Sequence, residues 1–173
     1  MSSVLNCRWL LGLGLGLAGG LILCAMWPQT PLHAVATDRV DTYAIATGFV
    51  DDGVEAVYFL DFLTGELHAV VLGRQGRGFV ARYGPFNVAA HLGVDPSKNP
   101  KYMMVTGAAD MRRAQLSQSV VYVAEATTGN VSAYAIPWSR AAYSAGRTMP
   151  PQPFVAVPPI RFRSAGNAVP LGP

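Results

Sequence analysis

Acid–base, nucleophilic or metal chemistry at neutral pH draws first on histidine and cysteine, and this 173-residue chain holds three of one and two of the other. Beyond residue 36 only His68 and His91 remain, with the acidic pair Asp51-Asp52 and the carboxylate of Asp61 to work beside them. Together they define one reading, a small envelope hydrolase or metal-dependent enzyme using His68 and His91. A Ser-His-Asp hydrolase also needs its nucleophile on a strained turn, and no Gly-x-Ser-x-Gly occurs. No ligand spacing joins the two histidines into a metal motif. His68 falls in a strand pattern and reads as a cross-strand residue. His91 ends a short helical pattern, whose C-terminal dipole it can cap.

The calcium-like motif fails on inspection: Asp95-x-Ser97-x-Asn99 opens like a calcium loop, but Pro100 stands where that loop needs Gly and Thr106 where it needs Glu. Asp51-Asp52-Gly53 reads first as a hairpin turn and second as an acidic turn for a hard cation. Arg74-Gln75-Gly76-Arg77-Gly78 reads first as a Gly-rich loop with solubilising cations and second as a contact for a phosphate or acidic glycan. Cys7 and Cys24 both lie in the first apolar stretch, which excludes a disulfide framework or a Cys-ligated metal from the rest of the chain. From Arg112 onward six arginines face the single acid Glu125, yet they form no stripe with interleaved aromatics, so nucleic acid is not an expected partner. The favoured expectation is a non-enzymatic binding or scaffold module, with no catalytic, cofactor-binding or metal-binding residues and no cofactor.

What positions these residues begins with a leader. Trp9 to Trp27 is an uncharged run of 19 residues behind Arg8, just long enough as a helix to cross a hydrocarbon core. Pro28 ends it, and Ala34-x-Ala36 is the small-x-small pattern a signal peptidase reads. Residues 1–36 are therefore expected to be a signal peptide or an uncleaved signal anchor. Either way the body is exported to the periplasm or cell envelope, and it stays tied to the inner membrane if the leader is retained. Gly12, Gly16 and Gly20 share one helical face, a spacing suited to transmembrane pairing.

After Thr37, short Val-, Tyr- and Phe-rich runs alternate with Gly, Pro and Asn-Asp punctuation, the pattern of an all-β fold. Strands are predicted over 42–47, 55–61, 67–72, 79–83, 102–106, 119–125 and 131–137, with 154–163 broken by Pro158-Pro159. One short helix is predicted, with Asn87 as its cap and Gly93 as its stop. Alternation puts Leu67, Ala69 and Val71 on one face of their strand and His68 and Val70 on the other. The expected domains are a β domain over 37–137, a single sheet of seven or so strands, and a Pro-rich basic tail over 138–173, read as an edge strand, a linker-like extension or a segment packed along the sheet.

Self-comparison finds a repeat. Val57-Tyr58-x-x-Asp61-x-x-Thr64-Gly65 aligns with Val121-Tyr122-x-x-Glu125-x-x-Thr128-Gly129 at a constant offset of 64, and each copy follows an earlier Thr-Gly, Thr47-Gly48 and Thr106-Gly107. Each copy reads as an antiparallel hairpin. The acid and Thr bond backbone amides across the turn, and Gly supplies the positive φ.

This pattern resembles the hairpin of quinoprotein-type β-propeller blades, and more loosely that of WD-repeat blades, over two segments of 13 residues. The resemblance implies an antiparallel meander of two blade-like units. It departs from the family in holding two units where propellers close with about four or more, and in lacking the blade tryptophans. The chain as a whole also resembles small exported bacterial proteins of unassigned function, which brings no activity with it. Two units leave sheet edges unpaired, so self-association or a protein partner is expected there, with the edge nearest Val131–Trp138 the favoured place.

Overall fold

The computed structural model describes residues 37–163 other than 75 and 77, together with 13 and 16–18. The chain divides into two units, residues 1–34 and 35–173. In the first, residues 13 and 16–18 are helical; the remainder of the leader, with its cleavage site, Gly12 and Gly20, lies outside the described residues. Among the described residues no helix is long and apolar enough to cross a membrane.

The second unit is all-β, built as two antiparallel sheets, neither closed into a barrel. The first sheet runs in chain order: β1 (Thr37–Arg39), β2 (Tyr43–Asp51), β3 (Val54–Asp61), β4 (Glu66–Leu72) and β5 (Phe79–Asn87). A short helix α1 (Val88–His91) follows, capped by Asn87, whose side chain accepts from the Ala90 amide at 2.8 Å. The second sheet then forms from β6 (Tyr102–Ala108), β7 (Ser119–Glu125) and β8 (Asn130–Ala135). After the helix α2 (Arg140–Ser144), the strands β9 (Val155–Ala156) and β10 (Ile160–Arg161) both pair with β8.

Three expectations need correcting. The strands do not form one sheet, because β5 cannot continue into β6. The chain breaks at α1, and the outer edge of β5 is taken instead by the returning segment, with the Met149 amide on Val80 (2.7 Å) and the Gln152 amide on Arg82 (3.1 Å). Residues 131–137 are not an edge, since β7 flanks one side of β8 and β9 and β10 the other. Nor does the tail merely border the sheet: Trp138, Tyr143, Met149 and Phe154 are buried in the common core. The break between β9 and β10 falls at residues 157–159, where Pro158 and Pro159 have no amide hydrogen to donate.

The core lies between the sheets. Along β2, β3 and β4 every second residue is buried, among them Ala46, Tyr58, Leu60, Leu67, Ala69 and Val71. From the second sheet Tyr102, Met104, Val121, Val123 and Tyr134 meet them. The sheets approach most closely where β2 lies on β6 and β7. There Gly48 carries no side chain because none fits: a Cβ would stand 2.7 Å from the Ser119 hydroxyl and 3.2 Å from Thr106. Farther out, large rings fill the gap. Phe86 packs edge-on against Tyr134 (5.2 Å between centroids), His91 (5.5 Å) and Phe154 (6.2 Å).

Candidate functional site

The Asp51-Asp52 turn proves to be a closed electrostatic knot. Asp51 ends β2 at an irregular register step and is buried. Its carboxylate accepts from Arg140 Nε (2.5 Å) and Nη2, Trp138 Nε1 (3.1 Å), Gln118 Nε2 (3.1 Å) and the Asp52 amide (2.9 Å). A carboxylate has about four lone-pair sites, so this one is saturated. The Arg140 guanidinium holds its pKa far below the ordinary 3.8, outweighing burial, with the Asp52 amide and Trp138 adding to the effect. Such a group neither takes up a proton near neutrality nor has free lone pairs for a cation. Its work is to tie the β2–β3 turn to the segment after β8. Sequence reading missed this because Trp138 and Arg140 stand 87 and 89 residues away and carry no motif.

The histidines are not brought together. His68 is half-buried on the outer face of β4, 3.4 Å from Glu66. His91 turns the other way, its Nδ1 3.0 Å from the Tyr134 hydroxyl and its ring against Phe86. Asp61, the third member of the imagined metal set, is engaged in its own turn. Among the described residues, no group of three or more His, Cys, Asp or Glu is placed to hold a metal ion.

The two Thr-Gly turns are built alike. In the first, Asp61 Oδ1 accepts from the Leu63 (2.8 Å) and Thr64 (3.3 Å) amides, Thr64 Oγ1 accepts from Glu66, and the Gly65 amide bonds the Asp61 carbonyl at 2.9 Å. In the second, Glu125 accepts from Thr127 (2.9 Å) and Thr128 (2.7 Å), Thr128 Oγ1 accepts from Asn130, and the Gly129 amide bonds the Glu125 carbonyl at 2.9 Å. Gly65 and Gly129 both sit at φ +72°. Glu125 is buried where Asp61 is half-buried. Burial alone raises its pKa, but the Thr127 and Thr128 amides outweigh that and bring it down to about 2. These residues make turns: their side chains bond neighbouring backbone amides.

One open cavity among the described residues, about 640 Å³, is lined by Phe49, Asp52, Glu55, Leu72, Arg74 and Tyr143, where the Arg74 guanidinium rests 5.4 Å from the centre of the Tyr143 ring. No catalytic pairing of nucleophile and base lines it.

What stands out instead are the faces the two sheets turn away from the core. On the first, Tyr43 and Phe59 stack at 5.1 Å with Ile45 nearby in the strand; on the second, Met103, Val105 and Tyr122 are open to solvent. Val105 is 54% exposed, Met103 51%, and Tyr43, Ile45 and Tyr122 40% each, high for large apolar groups clustered on two sheets. Comparison with protein-family models, with curated proteins and with solved structures finds no match.

Proposed function

We propose that this chain is a non-enzymatic exported β module that binds or scaffolds, composed of two copies of one blade-like meander. The observation that carries the binding reading is the pair of open apolar faces, Tyr43/Ile45/Phe59 on one sheet and Met103/Val105/Tyr122 on the other. Apart from His68, which is half-exposed beside Glu66, the main groups with chemical potential are engaged within the fold. Asp51 is bound by Arg140 and Trp138, His91 by Tyr134, and Glu125 by its turn.

The copy reading is supported by register. Thr47 pairs with Val57 and Val57 with Val70 in the first sheet; Thr106 pairs with Val121 and Val121 with Tyr134 in the second. Export rests on the 19-residue uncharged run behind Arg8, which holds the protein at or beyond a membrane.

Two sets of substitutions test the class. His68→Ala with His91→Ala leaves the associations of a scaffold intact, whereas Ile45→Glu or Val105→Glu weakens them. A hydrolytic activity lost in the double-histidine variant would overturn the proposal. Fusing residues 1–40 to a reporter active only outside the cytoplasm should yield signal, and silence beside a working leader would remove the export claim.

A further inference from the structure

The two meanders share a register but bury opposite faces. Carried across the pairing, Gly48 and Tyr58 correspond to Gly107 and Tyr122. Even the local packing repeats, since the Tyr58 ring lies against Gly48 as the Tyr122 ring lies against Gly107. Yet Tyr58 is fully buried against the second sheet, while Tyr122 is open. The converse holds for the other face. Tyr102, Met104 and Val123 are buried against the first sheet, and their counterparts Tyr43, Ile45 and Phe59 are open.

The contact inside the chain is therefore head-to-tail. A two-fold sandwich of copies would bury the same positions on both sides; here the Tyr58 face of one copy meets the Val121 face of the other. Such a contact leaves one unused face of each kind, and repeats until it closes on itself or runs on as a filament. The open face of the second sheet is of the kind that the first sheet already buries. The open face of the first sheet is of the kind that the second already buries. Their complement is thus present on every copy of the chain.

We propose that the Met103/Val105/Tyr122 face of one chain docks on the Tyr43/Ile45/Phe59 face of a second copy, and reciprocally, closing a dimeric ring of four sheets. Four is the smallest number with which blade-type sheets commonly close. The closest strands would be β6 of one copy and β2 of the other, mirroring the contact of β2 with β6 within the chain. This rests on reading the two meanders as copies.

The full-length chain, purified in mild detergent, is measured by light scattering across concentration. It should reach the mass of a dimer in the micromolar range. Val105→Glu and Ile45→Glu, each checked by circular dichroism to be folded, should weaken the dimer at least ~tenfold, because each places an unpaired charge in both contacts of the ring. Met103→Glu is a second variant should Val105→Glu misfold. A photo-crosslinking residue in place of Val105 should capture peptides from residues 43–61 of the other copy. A monomer at all concentrations would overturn the ring, as would capture of residues 102–108, which means like face on like face. A dimer indifferent to every face substitution would overturn it too, assigning association to the leader. The copy reading is judged separately, by whether Gly65→Val and Gly129→Val have matching effects on stability, so either claim can fail alone.

Discussion

The hydroxyl of Thr106 donates to the carbonyl oxygen of Thr47 at 2.6 Å, so Thr47-Gly48 and Thr106-Gly107, two of the four Thr-Gly pairs of the sequence, meet across the interface between the sheets. Beside them Gly48 lets the backbones approach, with Thr106 and Ser119 standing where a side chain would go. Thr106→Val keeps the shape and loses the donor, and should lower stability by about 1 kcal/mol. Gly48→Val must push the sheets apart, and should cost at least ~2 kcal/mol. Urea unfolding of the two variants beside the parent checks the order.

The turn glycines give a paired prediction. At φ +72° a β-branched residue is strained, and at Gly65 a Cβ would also meet the Ala89 methyl at 2.6 Å. At Gly129 the obstruction is Arg163, both backbone and Cβ. Gly65→Val and Gly129→Val should each destabilise by at least ~2 kcal/mol, read as a fall in the unfolding midpoint. Were either neutral, the turn geometry would be wrong.

Glu125 sets an acid dependence. Its pKa falls from an ordinary 4.5 unfolded to about 2 folded, so its contribution is complete above about 4.5 and is lost as pH drops towards 2. Glu125→Gln should flatten that part of the stability–pH curve. It should also cost about 1–2 kcal/mol at pH 7, since one of the two turn amides then faces an NH2 group instead of an acceptor and the other keeps only a neutral one. Thermal melts from pH 2 to 7 for parent and variant would show it.

Asp51 gives a sharper loss. Asp51→Ala leaves Trp138 Nε1 and Gln118 without their acceptor and frees the β2–β3 turn from Arg140, for an expected cost of about 2–4 kcal/mol. Arg140→Ala should cost less, about 1–2 kcal/mol, because the arginine is more than half exposed while the carboxylate is not. Equal losses in chemical unfolding would contradict the picture of Asp51 as the centre of the knot.

Much of this molecule was legible in its residues, and the limits are physical. Period-two alternation placed Leu67, Ala69 and Val71 together on one face of their strand, and that face is the buried one. Asn87 and Gly93 framed α1 because a cap and a positive-φ stop are local signals. Five residues of α2 turn on Ser139 alone, too short a helix for periodicity to reveal. That 131–137 lies inside a sheet depends on the two-residue strands at 155 and 160 docking on β8, and no local pattern names a strand's distant partner. The Asp51 knot was hidden for the same reason: its partners are near in space only. Tyr58 and Tyr122 stand alike in the sequence, and nothing local tells which is covered.

The most direct measurement compares hydroxyl-radical footprints of the full-length chain at nanomolar and at tens of micromolar concentration, read by mass spectrometry. The account predicts that Met103 and Tyr122 lose reactivity together with Tyr43 and Phe59 as concentration rises, while the exposed turn residue Leu63 does not change. Met103, Tyr122, Tyr43 and Phe59 staying equally reactive at both concentrations would contradict it.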